Sequence, residues 1–274
     1  MGTQRRFGIA PLGLTAVAGL LAGAGLANAG PLDFSNGFGN GAGLTANGSA
    51  MFVAGAAQLT DGGPAEAGSV FANTSVSVSD FTAHFTFQLV PGTIPIADGI
   101  TFTIQSNSPT ALGASGGGLG YAGISNSVAV KFDTFNNAGE GSDSTGLFTN
   151  GAAPNVPAID LTGSGIVLNS GDPFAVDMAY DGSSLNVTIT DTLTTASASQ
   201  SYAVNIAGAV GSDMAFVGFT GGSGAFTAVQ DINTFTFTTP QTSVAPEPSS
   251  VTLLALGVPC LAGWLRRRAR RQCP

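Results

Sequence analysis

The stretch VAVKFDTFNNAGEGSDSTG, residues 128–146, concentrates oxygen ligands at the end of one apparent strand. Asp133, Phe135, Asn137 and Asp143 lie within eleven residues. Their two carboxylates, one backbone carbonyl and one amide oxygen would supply four of the roughly six to eight oxygens that a hard cation such as calcium takes. The spacing therefore predicts a metal site, and the alternative is an ordinary solvated Asx-rich turn.

Residues suited to catalysis are scarce. The sequence has one histidine, His84, in an alternating strand, so a serine nucleophile has no other imidazole to act as its base. Paired carboxylates could hydrolyse sugars. However, the only glutamates of the central region, Glu66 and Glu140, fall in loops rather than at alternate positions of one strand. These residues favour binding over catalysis.

Residues 1–29 are predicted to be a secretory signal peptide. A pair of arginines precedes an apolar run at 7–26, and the Ala-Asn-Ala of residues 27–29 fits the small-x-small cleavage rule. An uncleaved membrane anchor is the alternative. The exported chain is expected to start at Gly30.

The C-terminal end contains a second predicted targeting segment. Residues 241–248 form a linker ending in Pro-Glu-Pro, followed by an apolar segment of seventeen residues at 249–265 and an arginine-rich tail at 266–274. That length is near the lower limit for a spanning helix, and the arginines mark the cytoplasmic side. This order resembles the PEP-CTERM sorting signal. The resemblance implies a transient inner-membrane anchor, then release to the cell surface or extracellular matrix by an exosortase-type protease. A permanent tail anchor is the alternative.

Without these ends the chain is strongly acidic. Lys131 is the only lysine or arginine in residues 30–240, against fifteen aspartates and glutamates, so this region carries about −14. Such a charge repels phosphate backbones and argues against nucleic acid as a partner. Both cysteines, Cys260 and Cys273, lie outside the region, which therefore forms no disulfide. This composition is typical of an extracellular protein that binds divalent cations or neutral sugars.

Period-two hydrophobic alternation, interrupted by Gly- and Asx-rich turns, predicts one all-β domain across residues 30–240. The alternating segments are 75–90, 99–105, 127–135, 173–182, 184–193, 200–207, 214–220 and 233–239. No long segment has the 3.6-residue period of a helix. We therefore expect a two-sheet β-sandwich or jelly roll.

Several segments together resemble the legume-type (L-type) lectins. In chain order they are DFSNGF (33–38), AQLTDG (57–62), SDFTAHFTF (79–87), IADGITFTI (96–104), GGGLGYAG (116–123), VAVKFDTFNN (128–137), AFVGFTGGSG (215–224) and QDINTFTF (230–237). They span nearly the whole central domain. The resemblance implies a concanavalin A-like β-sandwich that binds carbohydrate and has no catalytic role.

The resemblance also implies a role for each residue of a sugar site. Asp98, preceded by a cis peptide bond, would accept hydrogen bonds from two sugar hydroxyls. Gly117 or Gly118 would donate a backbone N–H. Phe135 would stack on the sugar ring, and Asn137 would donate from its amide. The loop that tunes specificity would be residues 221–224, with Gly221, Gly222 and Ser223 in contact with the sugar.

Metal ions are a further implication of the resemblance. The calcium ligands would be Asp133, the carbonyl of Phe135, Asn137 and Asp143. The family has a glutamate at the position of Lys131 and a histidine near Ser144, and both bind a second, transition metal. We expect that second site to be lost and one calcium ion to remain. The ammonium of Lys131 would then reach toward Asp133 and Asp143 as an internal substitute for the lost ion; the alternative is that it points to solvent.

The sequence thus predicts an exported, calcium-supported lectin whose partner is a carbohydrate, such as an exopolysaccharide. One alternative is a structural protein of the extracellular matrix that keeps the sandwich without binding sugar. A polysaccharide hydrolase is less favoured. Legume-type sandwiches often pair through a flat back sheet, so a homodimer is left open.

Overall fold

A computed structural model describes residues 32–240, which form two antiparallel β-sheets. The predicted signal peptide at 1–29, and the linker, sorting helix and basic tail at 241–274, lie outside the described residues. Across residues 32–240 no helix combines the length and the apolar character needed to cross a bilayer.

Sixteen strands lie in the described residues. The first eight are β1 (Leu32–Phe34), β2 (Leu44–Gly48), β3 (Met51–Val53), β4 (Ala56–Asp61), β5 (Ala67–Ala72), β6 (Val76–Ser77), β7 (Phe81–Pro91) and β8 (Gly99–Gln105). The others are β9 (Ser127–Asp133), β10 (Ser144–Thr149), β11 (Ile159–Asp160), β12 (Pro173–Tyr180), β13 (Ser184–Asp191), β14 (Ser197–Ala203), β15 (Met214–Gly222) and β16 (Ala228–Thr238).

The strands divide equally between the sheets. The first sheet has the order β14–β13–β12–β7–β16–β4–β3, with β1 also paired to β16. The second has the order β11–β10–β9–β8–β15–β5–β2, with β6 also paired to β15. The predicted all-β sandwich is confirmed.

Aromatic side chains fill the space between the sheets. Phe85 and Phe87 of β7 point from the first sheet toward the second. The Phe85 ring meets that of Phe219 on β15 at 4.9 Å, and the Phe87 ring meets that of Phe132 on β9 at 5.3 Å. All four rings are buried. Because Phe132 precedes Asp133 directly, this packing fixes the end of β9 where the oxygen ligands begin.

The two sheets differ in what covers their outer faces. Burial alternates along β12 of the first sheet, because one face meets the core and the other meets solvent. Every residue of β8 and β9 in the second sheet is buried. Loops cover that outer face: Tyr121 packs there with Ala129 of β9 and Phe148 of β10. Side chains on this side of β9, including Lys131, are therefore enclosed.

Helical structure in residues 32–240 is short. Helix α1 spans Ile206–Val210, and single 3₁₀ turns occur at Gly116–Gly118, Thr162–Ser164 and Leu168–Ser170. The strand predicted at 200–207 is wrong at its end, because β14 stops at Ala203 and α1 begins at Ile206. The side chain of Asn205 caps this helix by accepting the Gly208 N–H at 2.8 Å, which lets a short helix begin here.

Candidate functional site

The backbone of Asp98 is held between two strands at one end of the second sheet. Its N–H donates to the Gly222 carbonyl at 3.1 Å, and its own carbonyl accepts from the Thr134 N–H at 2.7 Å and from Thr134 Oγ1 at 2.8 Å. The peptide bond between Ala97 and Asp98 is cis, as the resemblance implies. These contacts fix the direction in which the carboxylate points.

The Asp98 carboxylate is buried and only partly satisfied. Its Oδ1 accepts from Asn137 Nδ2 at 3.2 Å, whereas Oδ2 has no hydrogen-bond partner in residues 32–240. Burial raises the pKa of Asp98, and the negative charge of Glu140 adds to this effect. The hydrogen bond from Asn137 and the nearby Gly224 amide oppose it. An unpartnered buried carboxylate oxygen is costly, so Oδ2 is suited to accept hydrogen bonds from a ligand.

Asp98 lines a cavity of about 220 Å³ at this end of the sandwich. The lining residues are Ala97, Asp98, Gly116, Gly117, Phe135, Asn137, Gly224, Ala225 and Phe226. Four residues proposed from the sequence, namely Asp98, Gly117, Phe135 and Asn137, thus converge on one cavity although they come from three separate loops.

Gly117 leaves room for the Asn137 amide. A Cβ atom at Gly117 would lie 2.7 Å from both Cγ and Nδ2 of Asn137, which is closer than a normal contact. Gly118 does not line the cavity; a Cβ atom there would meet the Cβ of Ala114 at 2.9 Å. The structure therefore favours Gly117 over Gly118 as the glycine that faces a ligand.

Phe226 is a wall residue that the sequence reasoning missed. Its ring lies 5.5 Å from that of Phe135, at an angle of 35°. It remains 37% exposed, so it can also contact a ligand. The signal that could have identified it is an aromatic residue two positions after the glycine-rich segment 221–224.

The predicted specificity loop is shifted along the chain. Gly221 and Gly222 belong to β15, where they pair with β5 and β8. Ser223 is fully buried, and its Oγ donates to the Gly63 carbonyl at 2.7 Å. None of these three lines the cavity. The expectation that they form its wall is corrected, because strand pairing continues to Gly222 and the loop that reaches the cavity begins at Gly224.

Two carboxylates hold the loop that carries Phe135 and Asn137. Asp133 Oδ1 accepts the Phe135 N–H at 3.0 Å. Glu140, which is buried, accepts the N–H of Asn137 at 3.1 Å through Oε1 and the N–H of Ala138 through Oε2. The backbone on both sides of Phe135 is therefore fixed by protein groups.

Lys131 points inward. Its side chain is fully buried, and Nζ donates to Asp133 Oδ2 at 2.9 Å and to the Asn155 carbonyl at 2.9 Å. Burial raises the pKa of Asp133 to about 6, although the charge and hydrogen bond of Lys131 oppose that shift. The alternative that Lys131 points to solvent does not fit this arrangement.

Asp143 lies apart from this ion pair. Its Oδ1 accepts the Leu168 N–H at 2.6 Å. Burial raises the pKa of Asp143, and backbone hydrogen bonds from Leu168 and Asn169 oppose that shift. Lys131 makes its one salt bridge within the described chain to Asp133, so the expected reach toward both aspartates is seen for Asp133 alone.

The residues that could hold metal are oxygen donors. Over residues 32–240 no three His, Cys, Asp or Glu side chains are grouped as a metal site. A transition metal does not fit, because Lys131 and Ser144 stand where the implied glutamate and histidine ligands would be. Calcium fits the chemistry of the implied donors, because the two carboxylates, the Asn137 amide and the Phe135 carbonyl are all hard oxygens.

Glu66 and Glu140 accept hydrogen bonds from backbone N–H groups of their own loops. Glu66 Oε2 accepts the N–H groups of Asp61 and Gly63 at 3.1 and 3.0 Å, just as Glu140 accepts those of its own loop. His84 lies on the outer face of the first sheet and pairs with Asp177 at 2.8 Å. Glu66, Glu140 and His84 do not line the cavity, whose lining contains one carboxylate, Asp98.

The fold and cavity define a legume-lectin-type sandwich. Residues 33–252 match the legume lectin domain family. The chain therefore belongs to this family, as the sequence motifs indicate.

Solved structures share the fold. A lectin from Bauhinia forficata in complex with GalNAc is 20% identical and has a TM-score of 0.65; the match covers 76% of this chain and 96% of that one. For peanut lectin with a bound peptide the identity is 22%, the TM-score 0.65 and the coverage 76% and 95%. For the metal-free lectin I-B4 of Griffonia simplicifolia these values are 22%, 0.66, and 77% and 99%.

Proposed function

We propose that the protein is a non-catalytic lectin that binds carbohydrate in the Asp98 cavity. The observation that carries this proposal is the buried Asp98 carboxylate, whose Oδ2 has no partner in residues 32–240 and which lines the cavity beside Asn137 and Phe135. A polyol offers the hydroxyl donors that such an oxygen lacks. Charge-assisted hydrogen bonds of this kind are short and orient the ligand.

The residues that line the cavity match the hydroxyl groups and the apolar ring face of a sugar. Asp98 would accept from two neighbouring hydroxyls, while the Asn137 amide and the Gly117 backbone N–H would donate to sugar oxygens. Phe135 and Phe226 would contact the apolar face of the ring. The volume of about 220 Å³ is below the roughly 300–1,000 Å³ of pockets for drug-sized ligands. The cavity therefore suits one monosaccharide unit.

Calcium is part of the proposal. Asp133, the Phe135 carbonyl, Asn137 and Asp143 would hold one ion. Bound there, calcium would supply positive charge to an acidic region and fix the orientation of the Asn137 side chain. Residues 133–143 contain three acidic side chains, at Asp133, Glu140 and Asp143, against one cation, Lys131, at their edge, so a divalent ion is electrostatically favoured.

Export and sorting complete the proposal, on the strength of the sequence alone. The signal peptide and the PEP-CTERM-like tail would bring the sandwich to the cell surface or matrix, where an exosortase-type protease would act on the tail. An exopolysaccharide is the partner we expect there. A homodimer stays a prediction.

Titration calorimetry tests the proposal. The full chain, with calcium present, is titrated with mannose, galactose, GalNAc and soluble exopolysaccharide. We expect saturable binding of at least one sugar, and its loss on D98N. No binding across the panel would favour the structural-matrix alternative. Shortening of the polysaccharide during incubation would instead indicate a hydrolase.

A further inference from the structure

Lys131 is the only lysine or arginine of residues 30–240 and is fully buried. Removing an ammonium from water is expensive unless it is paired and hydrogen-bonded. Here Nζ uses two of its three hydrogens, on Asp133 Oδ2 and the Asn155 carbonyl, and it lies 5.7 Å from the centre of the Phe148 ring. The sandwich thus buries the only lysine or arginine of residues 30–240 against an aspartate, a carbonyl and an aromatic ring.

These contacts connect the cation to the cavity. Asp133 uses one carboxylate oxygen for Lys131 and the other for the Phe135 N–H at 3.0 Å. Phe135 lines the cavity. On the other side, Asn155 belongs to the loop between β10 and β11 and is bound through its carbonyl. Lys131 therefore ties that loop, the end of β9 and the Phe135 backbone into one unit.

The surroundings of Lys131 disagree with the transition metal that the family resemblance implies. Lys131 itself stands at the position of the implied glutamate ligand, and its ammonium donates to Asp133. Ser144, at the position of the implied histidine, lies opposite Asp133 in the strand pairing, and its buried Oγ has no partner in residues 32–240. A divalent transition metal would find an ammonium and a serine in place of its two implied side-chain ligands.

We propose that Lys131 is a built-in cation that holds Asp133, and through it the Phe135 segment, so that this part of the site is organised without a transition metal. Lys131 is a positioning residue, because it acts through Asp133 and does not line the cavity. Lys131 would hold the Phe135 segment whether or not the cavity binds sugar. Only an effect of Lys131 on sugar affinity rests on the proposed function.

The wild-type arm of the test asks whether manganese binds. Bound metal is removed from the full chain with EDTA, and the protein is transferred to a buffer that contains calcium. MnCl₂ is then titrated in while the melting temperature and the number of manganese ions bound per chain are recorded. We expect no shift in melting temperature and no stoichiometric manganese. One bound manganese per chain with a higher melting temperature would overturn the proposal. Neither readout involves sugar, so failure of the proposed function would be seen separately.

Two matched variants ask whether the ammonium occupies the place of a metal. K131M and K131E both remove the cation, but only K131E adds a carboxylate beside Asp133. We expect both to melt at a lower temperature than wild type in calcium alone, and manganese to restore K131E but not K131M. A K131E protein no more responsive to manganese than K131M would overturn the proposal. If either variant does not fold, the wild-type arm still decides.

Discussion

Asn137 donates its side-chain amide to Asp98 Oδ1 at 3.2 Å, although the two residues are thirty-nine positions apart. One precedes β8 and the other follows β9, and these neighbouring strands bring their loops together at the same end of the sheet. The contact uses Oδ1 and leaves Asp98 Oδ2 without a partner in residues 32–240, in a residue that lines the cavity. Donor and acceptor are thus aligned before any ligand arrives, which lowers the entropic cost of binding.

Neutralising Asp98 should weaken sugar binding without lowering the stability of the fold. D98N keeps the shape but removes the charge, so we expect sugar affinity to fall about 10- to 150-fold, the equivalent of one charge-assisted hydrogen bond of roughly 1.5–3 kcal/mol. Because burial raises the pKa of Asp98, the charged form is disfavoured by folding, and D98N should unfold at equal or higher urea concentration. The exposed D80N is the control; equal binding by D98N and D80N would contradict the site.

Removing the Phe226 ring should weaken sugar binding. F226A loses the contact with Phe135 at 5.5 Å and one apolar wall. We expect affinity to fall about 2- to 12-fold, from the roughly 0.5–1.5 kcal/mol of an aromatic pair. Calorimetry on F226A checks this, with L193A as an exposed apolar control outside the cavity lining. Unchanged affinity for every sugar would exclude Phe226 from the wall.

Adding one methyl group at Gly117 should displace Asn137. A Cβ atom there would lie 2.7 Å from the amide carbon of Asn137, whereas a Cβ atom at Gly163 would meet nothing within 4 Å. Both glycines lie in short 3₁₀ turns, so G163A is a matched control. We expect G117A to bind sugar at least about tenfold more weakly while melting close to wild type, since one to two hydrogen bonds would be lost. Equal affinities in G117A and G163A would contradict the assigned contact.

Calcium removal should weaken binding reversibly. Chelation would take away the ion proposed to orient Asn137, so we expect sugar affinity to fall by tenfold or more and to return when calcium is added. D143N should require more calcium for the same response, whereas D213N, at an exposed position, should behave as wild type. Sugar binding that is indifferent to chelators would show that the contacts of Glu140 and Lys131 hold the loop unaided.

A pH effect is expected away from the site. Burial raises the pKa of Asp231, and the hydrogen bond from Gln58 opposes that shift. The folded state therefore retains this proton to higher pH than the unfolded state does, so the stability it contributes is lost as pH rises through the folded pKa. Urea unfolding at a series of pH values should show a smaller decline for D231N than for wild type. Parallel profiles would contradict the shift.

How far the fold could be predicted depends on what covers each sheet. β12, with one face in solvent, shows clear alternation and was predicted within two residues. β5 was missed because nearly all its residues are buried and several are small, so no period-two pattern appears in AGSVFA. β8 and β9 are also buried throughout, but polar and apolar residues still alternate in GITFTIQ and SVAVKFD, so both strands were predicted.

The residues of the candidate site could also be predicted only in part. Asp98, Gly117, Phe135 and Asn137 belong to motifs that can be recognised in order along the chain. Phe226 belongs to no such motif, because its place at the cavity depends on the path of the loop after β15. The contact between Lys131 and Asn155, twenty-four residues apart, depends on a loop packed over the outer face, which local sequence does not reveal.

The enclosure of Lys131 also protects residues 30–240 from cleavage by trypsin. Trypsin cuts after lysine or arginine, and in residues 30–240 its one target lies in the middle of β9, between β8 and β10. Cleavage therefore requires the central strands of a sheet to separate. The appearance of two fragments that meet at Lys131 would therefore report the opening of the sandwich, and the folded domain should resist trypsin-like enzymes.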